Sequence, residues 1–516
     1  MPAFPRFARL ITLVIAVTLH APGILVGQDP PLGSVSFPNS GSASAQASFI
    51  RGVLLLHSFE YEDAAREFAA ARQADPGFAL AYWGDAMTRT HSLWNEQDST
   101  AARNILTQLG PTPNARAAKA PTARERGYLA AVEALYGPGS KPRRDTLYSR
   151  AMARLVTQFP DDDEAKAFYS LSLMGLNQGV RDVASYMRAG AIALELLERH
   201  PNHPGAAHYV IHAFDDPIHA PLGLRAARAY SQIAPGADHA QHMTTHIFLA
   251  LGMWPDVVSQ NTIASGTDSS RWQPGHYTLW LGYGLVQEGR FRDGQELLER
   301  LHTQLPAASS AGRRASLAIL RAHQVVNAET WDDPSLAWPI NLSDANVVPR
   351  AIDAFIHAYA GARHGDAAAA RRGIAAIHAL GGSKPGGYGE LPEVPRILAG
   401  ILEANVLWAS GNQARAIAKL DSLGKVVGTL PVDFGPPDLV KPVHELLGEW
   451  LMAAHRPKEA AQAFVRALEL APGRLRSLQG LVRAAEGSND PEVAEGARRT
   501  LEGLRAVADP GVVALQ

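Results

Sequence analysis

One spacing of small, aromatic and proline residues recurs along this chain and limits its fold more than any other feature. In "GVLLLHSFEYEDAAREFAAARQADP", Gly52 is followed by Ala64, Phe68, Ala71 and Pro76, at gaps of 12, 4, 3 and 5. The same gaps separate Gly448, Ala460, Phe464, Ala467 and Pro472, and a looser copy runs through Gly282, Gly294, Leu298, Leu301 and Pro306. Two helices crossing closely satisfy the pattern. Small residues let the backbones approach, the large apolar residue fills the gap, and proline, which lacks an amide N–H, ends the second helix. Weaker copies end at Pro160, Pro201 and Pro235, the last two 34 residues apart.

These residues resemble the tetratricopeptide repeat, a helix-turn-helix unit of 34 residues. The resemblance covers most of residues 46–505. It implies an all-α fold, a right-handed superhelical α-solenoid in which each unit buries its apolar face only by stacking on its neighbours. "LEANVLWASGNQARAIAKL" reads as a further unit, and "AYAGARHGDAAAARRGIAAI" and "TARERGYLAAVEALYG" as degenerate helical ones. Segments 110–122, 266–275, 330–349, 381–395 and 427–442 are rich in glycine and proline and are expected as surface loops. A short tail, 506–516, follows the solenoid.

Residues 1–27 read as a signal peptide: basic Arg6 and Arg9, the apolar run Leu10–Leu19, and small Gly27 before "QDPP". A Ser/Pro/Gly-rich flexible linker is expected over 28–45. On this reading the protein is exported, periplasmic or secreted, and no stable membrane span remains after cleavage. The chain has no cysteine, which excludes disulfides, thiolate metal sites and a cysteine nucleophile. A formal charge of -2, with the basic residues scattered, gives no electrostatic reason to expect nucleic acid as a partner.

Eight of the 19 histidines fall between His200 and His246, far denser than the chain average. If the closing proline of each unit is position 32, units begin at Pro204 and Asp238. His208 and His212 then take positions 5 and 9, and His239, His242 and His246 of "DHAQHMTTH" take positions 2, 5 and 9 of the next first helix. The resemblance implies that these positions line the concave groove. Helix geometry adds that spacings of three and four share a face, and that helices in contact lie about 8–10 Å apart. Imidazoles on both can therefore meet. Asp215 and Asp216 fall at positions 12 and 13. Acids at a helix C-terminus need an offset, which a bound cation, Arg225 or Arg228 would supply, unless Asp216 merely caps the next turn. Asp238 with Gln241 reads as a capping box that starts the second helix at His239. His276 reaches position 2 of its unit, and His57 and His91 position 13 of theirs. His91 opens "HSLWNEQD", where Trp94 crowds a helix end. Together these segments are similar to exported bacterial tetratricopeptide proteins with histidine-rich central repeats, a resemblance that supplies no settled activity.

Two functions of different class remain. In the first, the concave groove binds a protein or peptide partner, or a small-molecule substrate, with His91, Trp94, Asp215, Asp216 and His276 among its contacts. In the second, the chain is a metal-binding protein or metal-dependent enzyme whose ligands come from His208, His212, His239, His242 and His246. Nitrogen-only ligation without thiolates points to copper or zinc. His242, His246, His208 and His212 are then the first ligands expected, with His239 or Asp215 behind them or added to them. "HYVIH" has paired histidines four apart but no glutamate after the first, so it is not the HExxH zinc motif.

Overall fold

Each of the six prolines that close the repeat copies stands two residues past the end of a helix. The helices are Tyr61–Ala74, Lys141–Gln158, Val183–Arg199, Ala220–Ile233, Phe291–Gln304 and Pro457–Leu470. The computed structural model describes residues 30–177, 181–266, 268–381, 391–431 and 434–513, so the leader expected over 1–27 and most of the segment 381–395 lie outside it. Among the described residues are 24 α-helices and a single ladder of two-residue strands, Thr90–His91 with Glu96–Gln97. The fold is an all-α stack of helix hairpins. No helix among the described residues is long and apolar enough to cross a membrane.

The repeat spacing has a direct physical meaning. A Cβ added to Gly52 would lie 2.9 Å from the Phe68 ring, and one added to Gly84, on the next unit's first helix, 2.3 Å from it. Gly448 and Gly480 enclose Phe464 in the same way, at 2.8 and 2.3 Å. One buried ring thus wedges between two glycines of successive first helices. Where the loosened copy has leucines, the space over Gly282 is taken by Leu320 of the helix Ala311–Ala328, 2.3 Å from a would-be Cβ.

Regularity breaks where the sequence has its glycine- and proline-rich stretches. The helix Ala311–Ala328 has no second helix of its own; residues 330–346 replace it with irregular chain around the short 3-10 helix Pro334–Ala337. Segment 110–122 carries a five-residue helix, Pro113–Ala117.

Both ends of the described chain fold back onto the stack. The flexible linker expected over 28–45 is a packed strap from Pro30 onward. Leu32 and Phe37 are buried, the Ser34 amide donates to the Asn202 carbonyl at 2.9 Å, and the Phe37 ring meets Trp83 at 5.5 Å. Apolar side chains in this Ser/Pro-rich stretch find a core face to cover, so composition alone misleads. At the other end, the Asp509 amide donates to the Gly289 carbonyl at 3.0 Å and its carboxylate pairs with Arg292. Trp254 donates its indole N–H to Gly473 at 2.8 Å, so late helices rest on the middle of the chain.

Candidate metal centre

Three first helices, Pro204–Ala213, Asp238–Ala250 and His276–Gln287, carry six histidines to one place. The structure sorts them into two sets. One ring nitrogen each from His208, His212 and His239 lie within 4.8 Å of one another, and so do nitrogens of His242, His246 and His276. The grouping differs from the sequence expectation: His208 and His212 do not join His242 and His246 in one four-ligand set. His239 completes the first set and His276 the second. His276 stands at the exposed rim, its ring 4.4 Å from that of His242.

Hydrogen bonds fix which nitrogen carries a proton in three of these rings. Asn261 donates its amide to the Val257 carbonyl, which turns its oxygen onto His242 Nδ1 at 2.7 Å. His246 Nδ1 faces the Asp215 carboxylate at 2.5 Å, and His208 Nδ1 faces the His57 carbonyl at 2.7 Å. All three partners only accept, so each Nδ1 must donate and each Nε2 presents a lone pair. Nε2 of His208, His212 and His239 is buried without a hydrogen-bond partner. In the second set, His242 Nε2 and His246 Nε2 point at each other across 3.1 Å. Two lone pairs at that distance repel unless a cation lies between them.

Burial works against protonation of most of these rings. It pushes the His208 imidazole down to about 3, and it holds His212, His239 and His242 well below the ordinary 6.5, with neighbouring imidazoles adding to the shift. Neutral rings with a donating Nδ1 and a free Nε2 are the form in which histidine binds metals.

A third cluster nearby is chemically different. His57 gives its Nε2–H to Glu164 at 2.7 Å and accepts the Tyr209 hydroxyl on Nδ1 at 2.9 Å. His203 accepts the Ala206 amide on Nδ1 at 3.2 Å and turns Nε2 toward the other Glu164 oxygen, 3.3 Å away. Burial alone would raise the Glu164 carboxyl, but His203 and His57 outweigh it and hold it below the usual range. Both His57 nitrogens are committed, while His203 Nε2 makes no hydrogen bond, and the cluster holds in place the residue whose carbonyl orients His208.

Aromatic side chains wall the six histidines. The Phe59 ring lies 4.3 Å from His208 and 5.7 Å from both His212 and His239. Phe59 holds φ +57°, a costly conformation for a bulky residue; equivalent turns carry Gly289, Gly411 and His455, also left-handed. Trp94 stands 6.0 Å from His239, and Trp280 lies 4.3 Å from His246. Gly435 presses its backbone onto Trp280, where a Cβ would come within 2.3 Å of the indole.

Other expected residues take supporting places. His91 stacks on Tyr61 at 4.0 Å and faces Glu96 at 3.3 Å, beside the wall and outside both sets. Asp216 pairs with Arg181 at 2.6 Å and caps the amides of Ile218 and His219, so the offsetting cation is Arg181, not Arg225 or Arg228. The capping box at Asp238 does not form: the helix already includes Asp238 and has no side-chain cap. The His239 amide instead donates to Glu60 of the first repeat at 3.0 Å, while Gln241 reaches the Ser231 carbonyl. A tertiary partner outcompetes the local one. Asn261 and the His57 carbonyl escaped sequence reasoning, because nothing local marks them. Trp280 carried a signal, sitting four residues after His276 on the same face.

No model of a known protein family matches the sequence, and no curated protein does. Among solved structures, the chain is similar to yeast Tom70 at a TM-score of 0.34 and 13% identity, over 88% of this chain and 98% of that one. A human IFIT1 dimer with m7Gppp-AAAA aligns at 0.36 and 12%, over 91% and 92%. The P58(IPK) TPR domain aligns at 0.22 and 11%, over 87% and 99%. The weight rests on this molecule's own packing, the hairpin stack with a ring wedged between glycines of successive units. By that packing the fold is an α-solenoid of stacked helix hairpins.

Proposed function

We propose that this chain is a helical-repeat metalloprotein whose inner histidine face holds copper or zinc on two three-imidazole sites. The observation that carries this reading is the contact of His242 Nε2 with His246 Nε2 at 3.1 Å, both rings having committed Nδ1 to acceptors. A metal ion accepting both lone pairs relieves it, and burial disfavours a proton on His242. Three neutral nitrogens leave a coordination position open, as sites that bind an exogenous ligand require. A protein or peptide partner in the concave groove, the other reading, needs free inner surface. At the histidine helices that surface is taken by Phe59, Trp94 and Trp280, so a partner would use another part of the scaffold.

Protein purified without an affinity tag, exposed to copper or zinc and then dialysed, is expected to retain stoichiometric metal by elemental analysis. The His242→Ala/His246→Ala double variant should retain less. Native protein that keeps neither ion sinks the proposal.

A further inference from the structure

We propose that the two histidine sets are halves of one binuclear copper centre that binds dioxygen between its ions, an inference resting on the metal reading above. Their adjacency comes first. The helix Asp238–Ala250 gives His239 to one set and, one turn later, His242 to the other, with 6.1 Å between the ring centroids. His212 and His246 meet across the same boundary at 5.7 Å. Tyr277 belongs to both: its ring lies 4.7 Å from that of His242, and its hydroxyl 3.4 Å from His239 Nδ1. Rings of the two sets thus lie within about one ring's width of each other, close enough for ions held by them to share a small bridging ligand.

Charge and donor type then choose the metal. All six donors are imidazoles, and among the described residues Asp215 is the carboxylate hydrogen-bonded to one of them. Two divalent ions would bring four positive charges into a pocket walled by Phe59, Trp94, Tyr277 and Trp280, at a large desolvation cost. Two copper(I) ions bring half that charge, and imidazole ligation suits copper. Three-coordinate copper(I) on each side leaves an open position toward the other. Dioxygen fits there chemically: each copper(I) gives one electron and becomes copper(II), and the O=O bond is reduced to a single-bonded peroxide bridging both ions. No proton or further reductant is consumed. His276 at the exposed rim gives the second set a way to solvent.

The test uses the tag-free chain, loaded with copper(I) under anaerobic conditions and passed through gel filtration. Two coppers per chain are expected. Exposure to oxygen should raise an intense near-ultraviolet charge-transfer band with no copper EPR signal, because the bridge couples the two copper(II) spins. His276→Ala, altered at the rim where folding is least disturbed, should hold one copper and show the EPR signal of an isolated ion without the band. One copper per wild-type chain, or two giving the EPR intensity of independent ions, overturns the shared centre and leaves metal binding standing. Failure to retain any copper overturns both, and circular dichroism of the same sample shows whether the chain was folded.

Discussion

Asp215 shows how much of this site depends on residues that need not touch a metal. Its carboxylate holds His246 Nδ1 at 2.5 Å and so aims Nε2 at His242. Such outer partners typically contribute about 10–100-fold in metal affinity. Asp215→Asn is therefore expected to weaken copper binding at the second set by roughly that factor, leaving the melting temperature and the first set's occupancy nearly unchanged. Competition titration against a chelator would measure it. Loss of metal from both sets would mean that Asp215 has a different role. At this scale the sequence disclosed the histidine stripe and its phase, since His239, His242 and His246 share a face by simple helix arithmetic. The split into two sets was not legible. It depends on which nitrogens Asn261, Asp215 and the His57 carbonyl turn inward, and His57 and Asn261 come from helices that the histidine stretch does not announce.

Among the helices, the proline and glycine signals were readable because their effects are local. Proline cannot continue a helix wherever it sits, and a close crossing admits only glycine beside an aromatic ring. Gly84 was not singled out, although it completes the enclosure of Phe68. Gly84→Leu would drive its side chain into that ring, and overpacking of this kind costs about 1–3 kcal/mol. Chemical denaturation should show the loss, and an unchanged midpoint would mean that the first two units separate without penalty. The unpaired helix Ala311–Ala328 was harder to anticipate. Residues 330–349 looked like an insertion between units, whereas they stand in for half of one. Apolar patterning says that a helix has a buried face but not whether a second helix or a folded loop covers it.

Across the whole molecule, long-range polar contacts join parts that the repeat leaves independent. Glu445 accepts from Arg474 at 2.7 Å, Lys441 at 2.9 Å and Ser477 at 2.7 Å, all buried, and Arg474 reaches the Tyr283 hydroxyl at 3.4 Å on the helix that carries His276. Burial alone would raise the Glu445 carboxyl above its ordinary 4.5, but Arg474 and Lys441 outweigh this and hold it below. Its stabilisation is therefore full above about 4.5 and fades as pH falls through the lowered folded value. Glu445→Gln should cost about 3–5 kcal/mol near neutral pH, because it leaves buried cations uncompensated. In urea melts the gap from wild type should narrow in acid; a gap that widens would contradict the assignment. The strained turn at Phe59 carries a consequence for biosynthesis. Its ring closes on His208, His212 and His239, residues made long after it, and Glu60 waits for the His239 amide. A chain that folds its N-terminal part first as it is synthesised would hold that turn without its partners until the middle repeats emerge. The histidine centre would thus be completed late in folding, and ion uptake would follow the ribosome's release of the helix that carries His276.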